Sequence, residues 1–366
     1  MKKSRLRGNF ISEWFGQRIY PEVKLDSKAI SGSNWGICPF LSSIKREKSS
    51  CIKSENAFGV CTINSVNGDS RKDWLVCPYR VIDSEIVKFS CATIFGREPA
   101  VPPIPISILS HDAGIAELNK SLAQSGVAFV FFQDKLGGEI SISGTPSSPE
   151  IAFDVTVAEI SRAGSDTIKL NRYGFIEIQT MDFHGSYRAA VKNLSDARRL
   201  HKNKFSSALI SNQTWASERV EGPNIANVFK RTFYQTLLKF ELSKDGAAAG
   251  TILALPESVW DSWQPFLGRP TIEEVNESEL RIVGSDPETY HGTNAWIFVF
   301  DLNNEASTSI SPVRIKSRIR VSATDLLHHA FVAVPKHMLH VATIDEALLS
   351  RIRERIRRAT PHLLIE

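Results

Sequence analysis

Asp154, Glu177 and Gln179 are the residues whose types and spacing best suit metal-assisted chemistry at a phosphate. In Glu177-Ile178-Gln179 the outer two side chains sit at i and i+2, so on a strand they share one face while Ile176 and Ile178 turn to the core. Asp154, on a preceding β-like segment, lies beside them if the two strands pair. Two carboxylates and the backbone carbonyl between Glu177 and Gln179 then converge as an oxygen cage of the kind Mg²⁺ takes. An ion held there polarises a phosphodiester and lowers the pKa of a bound water. The same pattern arises where polar strand residues merely face solvent, and spacing leaves both readings open. Gln179 carries no positive charge for a phosphate; its amide can orient water or ligate through oxygen.

All five cysteines, Cys38, Cys51, Cys61, Cys77 and Cys91, fall in the first quarter of the chain. An odd number in a chain read as intracellular disfavours a disulfide framework. The gaps from Cys38 to Cys77 are twelve, nine and fifteen residues, wider than the paired spacing of zinc ribbons. Spacing alone leaves a local structural metal or buried free thiols. Residues 1–92 are rich in Cys, Ser and Lys, with short apolar pieces, and a bound metal is the usual remedy for so small a core. We therefore divide the chain into an N-terminal unit, 1–92, and a larger domain, 93–366.

The elements that must position these groups can be read from periodicity. A proline-rich connector covers Glu98 to Pro105. A helix is predicted from Asp112 to Ser125, with Ile115, Leu118, Leu122 and Ala123 on its apolar side and Gly126 at its end. Val127 to Gln133, Ile151 to Ile160 and Tyr173 to Gln179 read as strands, with a turn at Ala163 to Asp166. The basic stretch with Arg198, Arg199, His201, Lys202 and Lys204 reads as irregular. A long helix is predicted from Pro223 to Leu242. Its stripe is Ile225, Val228, Phe229, Phe233, Leu237 and Phe240, with Lys230, Arg231, Gln235 and Lys239 on the other side. Strands follow near Thr251 to Leu255 and Ala295 to Leu302, and Ile344 to Arg358 reads as a basic amphipathic helix. Trp260 and Trp263 are expected in the core.

The composition is ordinary for a soluble globular protein: 366 residues, 42% hydrophobic and 23% charged, with a formal net charge of +4. Disorder and coiled coil are disfavoured. The slight basicity permits nucleic-acid binding without requiring it. No apolar run reaches the length of a membrane span. The basic start, Met1 to Arg7, lacks the apolar stretch of a signal peptide, so a cytoplasmic location is expected.

Several unbroken stretches resemble the NotI-type restriction endonucleases of the PD-(D/E)xK superfamily. They include Cys38-Pro39-Phe40-Leu41, Asp73 to Pro78, Lys135 to Glu139, Glu177 to Tyr187, Asn227 to Gln235 and Asn294 to Phe300. The likeness runs in order from residue 9 to about residue 302, and the last sixty residues match poorly. It implies an α/β restriction-endonuclease core, a mixed central sheet flanked by helices, with an N-terminal metal-binding unit built on four cysteines. The superfamily usually carries Lys at the third motif position, and the resemblance implies that Gln179 is a family trait. It places Asp154, Glu177 and Gln179 on the catalytic positions and Glu139 on the same metal cluster. Cys38, Cys51, Cys61 and Cys77 match four metal cysteines, and Cys91 does not. Thiolate ligands alone do not separate zinc from iron; the resemblance implies a structural iron, with zinc as the fallback. It further implies a bacterial homodimer that binds double-stranded DNA at a palindromic, GC-rich site. Mg²⁺-dependent cleavage of both strands would leave 5′-phosphate ends, and a DNA methyltransferase would be a functional companion and not a stable subunit.

DNA contact needs phosphate-binding and base-reading groups. The helix from Pro223 offers Asn224, Asn227, Lys230, Arg231 and Gln235, with its first turn a possible phosphate site. Arg172, just before Glu177, is a candidate reader of guanine. The arginines from Arg351 to Arg358 fit a solvated or phosphate-tracking face. His184 is expected to be packed, since this chemistry needs no histidine base. The competing readings are another DNA-processing nuclease on the same core and a DNA-binding module that does not cleave.

Overall fold

The apolar runs read as strands lie side by side in a computed structural model, which describes residues 8–26, 36–67, 70–164, 167–242, 244, 246–277, 279–283, 294–303, 311–341 and 344–360. The basic start at Met1 to Arg7 and half of the turn at Ala163 to Asp166 lie outside these residues. In the N-terminal region β1 (Phe10–Trp14), β2 (Gln17–Arg18), β3 (Val60–Asn67) and β4 (Ser70–Leu75) form a four-stranded sheet in the order β2-β1-β3-β4. Among the described residues of the same region are the helices α1 (Pro39–Lys45), α2 (Pro78–Ile82) and α3 (Ile86–Phe95).

The remaining strands are β5 (Ile104–Pro105), β6 (Val127–Phe132), β7 (Ile140–Ile142), β8 (Ile151–Phe153), β9 (Val155–Arg162) and β10 (Ile168–Ile178), then β11 (Ala248–Pro256), β12 (Ile272–Asn276), β13 (Glu279–Ile282), β14 (Ala295–Leu302) and β15 (Val313–Val321). Nine of them build one mixed sheet in the order β12-β13-β15-β14-β11-β10-β9-β6-β5. At its centre β10, β11 and β14 run parallel, while β9 is antiparallel to β10 and to β6. The proline-rich connector ends as the edge strand β5, a position that tolerates proline. β7 and β8 pair with each other apart from the large sheet.

Helices are α4 (Asp112–Ser125), α5 (Arg188–His201), α6 (Phe205–Ser211), α7 (Ile225–Leu242), α8 (Glu257–Leu267), α9 (Ala323–His328), α10 (Val334–Val341) and α11 (Ile344–Ala359). Strand alternation sends opposite residues to two helical layers. Leu253, Leu255, Ile297 and Val299 share a core with residues of α5, α7 and α8, whereas Ile252, Ala254, Trp296 and Phe298 share one with residues of α1, α2 and α3. Residues 1–92 supply both cores: Ile11, Trp14 and Trp74 join the first, and Phe40, Leu41 and Ile94 the second. Trp260 and Trp263 are buried, as expected.

Four local expectations are corrected. The strand predicted from Ile151 to Ile160 breaks at Asp154, where the chain passes from the β7–β8 pair into the central sheet. The basic stretch before residue 204 is the helix α5; its buried Ala190, Val191, Leu194 and Ala197 recur at helical spacing that the charged residues obscured. In α4, Leu118 and Leu122 are buried but Ile115 and Ala123 are exposed. The packed face is rotated towards Gly114, where a Cβ would meet the Ile108 carbonyl oxygen at 2.1 Å, so only glycine lets the helix approach. His184 is exposed, tied through its backbone N–H to the Gly222 carbonyl at 3.0 Å. No helix among the described residues is long and apolar enough to cross a membrane. Described residues 346–359 of α11 are exposed throughout.

Candidate active site

Strand pairing brings the catalytic candidates together. The β9–β10 register ends at Val155 opposite Ile176, so Asp154 and Glu177 flank the point where the two strands part. Their main chains and carboxylates interlock: the Ile178 N–H donates to Asp154 Oδ2 at 2.9 Å, and the Asp154 N–H donates to Glu177 Oε1 at 3.3 Å. Ile176 and Ile178 turn into the α1–α3 core, as expected, and Glu177 turns to the opposite face, beneath α7. That face is not open: Glu177 and Gln179 are 8% and 9% exposed.

A cleft of about 490 Å³ opens over this point. Asp154, Glu177, Gln179, Glu139, Arg231 and Gln235, all singled out from sequence, line it. So do Glu150, Thr232 and Lys239, which were not assigned to it. Glu139 reaches it from the exposed end of the loop before β7. A somewhat larger groove of about 560 Å³, between Glu85 and Arg318, contains no buried ionisable side chain and has a mixed, exposed charge lining. The catalytic candidates meet in the smaller cleft, where Glu177 is buried and Asp154 half-buried beside it.

Lys239 is the main departure from the sequence reading. It was expected on the solvent side of the long helix, yet it is 5% exposed and ion-paired to Glu177 Oε2. The α7 helix is buried over more than its apolar stripe: Thr232, Thr236 and Lys239 cover the polar cleft while Phe229, Phe233 and Phe240 fill the core. The Lys239 ammonium also lies 5.4 Å from the centre of the Phe153 ring, which is stacked on Phe175 at 3.7 Å. The signal available in sequence was position: Lys239 lies three and seven residues after Thr236 and Thr232, on their side of the helix.

The electrostatics follow from burial. Burial pushes the Glu177 carboxyl up to about 7, the Asp154 charge adds to the rise, and Lys239 opposes it. Partial burial and the Asp154 charge likewise raise Glu139. Gln179 is committed to its neighbours: its amide oxygen accepts from the Thr232 hydroxyl and its amide N–H donates to the Thr180 carbonyl.

The exposed face of α7 carries Asn227, Lys230, Arg231 and Gln235. Arg231 is paired with Asp182 at 2.8 Å, and Asn224, half-buried, accepts the first helical N–H from Val228. Arg172 is away from the cleft lining. Its guanidinium grips Glu159 at 3.0 and 3.2 Å, donates to the Phe95 carbonyl and lies over the Phe95 ring.

The cysteines form a second cluster. Cys38 caps the N-terminus of α1 through its sulfur, and Cys77 occupies the N-cap position of α2. Backbone N–H groups of Leu41, Gly59 and Gly16 donate to the sulfurs of Cys38, Cys51 and Cys61 at 3.3–3.4 Å. The neighbouring Cys61 thiol, with the Lys53 charge, holds the Cys77 thiol below its usual range, and the Cys77 sulfur beside it and burial raise Cys61. Burial pushes Cys38 up to about 11, with the Cys77 and Cys51 sulfurs adding to the rise. Cys91 stands apart in α3, fully buried in apolar surroundings that hold its thiol protonated. Amide donors and a neighbouring lysine suit thiolate ligands, so the four sulfurs fit a tetrahedral ion in donor chemistry. Among the described residues no three His, Cys, Asp or Glu side chains enclose an ion as they stand.

Neither protein-family models nor curated proteins give a match to this chain.

Proposed function

We propose that this chain is a type II restriction endonuclease of the NotI kind, a Mg²⁺-dependent enzyme that cuts both strands of DNA at a specific site. One observation carries the reading. Asp154, Glu139 and the Glu177–Gln179 pair line one cleft, although they come from three separate segments. Crowded, partly buried carboxylates beside a single inward lysine suit a divalent cation and a phosphodiester better than they suit an uncharged ligand.

In this reading the central sheet is a PD-(D/E)xK core, and Cys38, Cys51, Cys61 and Cys77 together hold a structural iron, or zinc. Asp154 and Glu177 would hold Mg²⁺, with Glu139 beside them. The ion, when bound, supplies charge stabilisation at the phosphate and a more acidic water. The chain's own residues do the rest. The Asp154–Glu177 interlock fixes both carboxylates, Thr232 orients the Gln179 amide, and α7 closes one side of the cleft to water. Lys230, Arg231 and Gln235 on the α7 surface meet DNA, with Asn224 and Asn227 at its first turns. A homodimer presents two such clefts to a palindrome.

The deciding experiment is digestion of DNA of known sequence with Mg²⁺, followed by mapping of the ends. Discrete fragments with 5′-phosphates are expected. Random or end-dependent degradation would point to a different DNA-processing nuclease, and binding without cleavage to a DNA-binding module.

A further inference from the structure

The cleft contains a charge that the sequence motif does not provide. Gln179 occupies the motif position, but its amide is neutral and both its ends are hydrogen-bonded to Thr232 and Thr180. Four carboxylates, Glu139, Glu150, Asp154 and Glu177, line the cleft with two cations, Arg231 and Lys239. Arg231 is exposed and turned to Asp182, which is not part of the lining. Lys239 is buried, comes from the helix above, and sits on Glu177 itself.

We propose that Lys239 is the residue that presents positive charge to the scissile phosphate here, and that in the metal-free protein its ammonium occupies the place of a divalent cation on Glu177. The proposal rests on the reading of this cleft as a nuclease site. Three observations carry it. First, the two Glu177 oxygens are divided: Oε1 accepts the Asp154 N–H and Oε2 takes Lys239. A cation held by Glu177 and Asp154 would therefore compete with Lys239 for the Glu177 carboxylate. Second, the lysine is in the right layer. Thr232, Thr236 and Lys239 form one line along the cleft side of α7, directly over the strand end that carries Glu177. Third, lysine is a compact charge on a rotatable four-carbon stem. Released from Glu177, its ammonium would swing outward along the cleft on that stem and face a phosphate approaching Asp154. An unpaired ammonium at the floor would be costly to bury; a phosphate oxygen replaces the carboxylate it gives up. Lys239 is thus a placeholder before metal binding and a phosphate ligand after it.

The test uses the full chain without DNA, with Mn²⁺ and Ca²⁺ as probes. In Lys239→Met, Mn²⁺ binding measured by calorimetry at alkaline pH should tighten tenfold or more, while cleavage in Mg²⁺ falls at least a hundredfold. Unchanged Mn²⁺ affinity in a variant whose parent still cuts DNA would overturn the exchange. A parent that neither binds Mn²⁺ nor cuts DNA would instead overturn the nuclease reading, and this proposal with it. A second measurement needs no variant. Acetylation of the parent's lysines, mapped by mass spectrometry, should rise several-fold at Lys239 when Ca²⁺ is added and stay level at exposed Lys230. Equal protection of Lys239 with and without Ca²⁺, in a chain shown to bind Ca²⁺, would count against the proposal.

Discussion

The Glu177 carboxylate and the Lys239 ammonium are ion-paired at the floor of the cleft, 62 residues apart in sequence and both nearly excluded from solvent. Removing one partner of such a pair strands the other charge. Lys239→Met alone should cost about 3–5 kcal/mol of unfolding free energy at alkaline pH. The double variant Glu177→Gln/Lys239→Met should recover most of it, since two neutral groups replace two charges. Urea unfolding of the four proteins in chelator measures this, and additive losses would mean the pair is not coupled.

The raised Glu177 carboxyl also fixes a pH dependence. Its folded-state value is about 7 against an ordinary 4.5, so the folded metal-free protein binds a proton that the unfolded chain has released. The stabilisation is complete below the unfolded value and is lost as pH rises through about 7. Thermal unfolding in chelator should therefore weaken across that window. Glu177→Gln should flatten the slope, and an unchanged slope would place its source elsewhere. If the cleft is the proposed nuclease site, cleavage should run in the opposite direction, rising through neutrality as Glu177 becomes free to take a cation.

Asp154 accepts the Ile178 N–H and borders the cleft at the strand break. Asp154→Ala should cut the cleavage rate by roughly a thousandfold or more, equivalent to about 4 kcal/mol. DNA affinity in Ca²⁺ should fall only slightly. Retained cleavage would remove Asp154 from the mechanism.

Lys230 is exposed on the face of α7 that carries Arg231 and Gln235. If that face meets phosphate, Lys230→Ala should weaken binding to all DNA sequences alike and lower the slope of log affinity against log salt by about one. A change confined to one sequence would make it a base reader.

The Cys61 sulfur accepts the Gly16 N–H and its thiol donates to the Gly59 carbonyl, while Cys91 lies apart in α3. Cys61→Ser should lose metal and stability together, and Cys91→Ser should leave metal content unchanged. Elemental analysis of both variants distinguishes iron from zinc in the same experiment, and equal metal in Cys61→Ser would remove the ion from this cluster.

Much of the scaffold was legible in the sequence because local periodicity carries it. The strands at Val127, Tyr173, Thr251 and Ala295 and the helices from Asp112, Pro223 and Ile344 all exist within a few residues of their expected bounds. The i, i+2 relation of Glu177 and Gln179 was also local, and it held. What periodicity could not show was which polar residues a second layer would cover. Asp154 breaks its strand because the chain leaves one sheet for another there. Lys239 has a charged side chain on a helix, and in isolation that reads as solvated. It is buried because α7 lies over the end of β10, where a carboxylate needs a partner. The sequence by itself determined these periodic strands and helices and the spacing of the carboxylate motif. Only the tertiary structure decided that a buried lysine joins that motif, because the pairing depends on the packing of a helix onto a strand far from it along the chain.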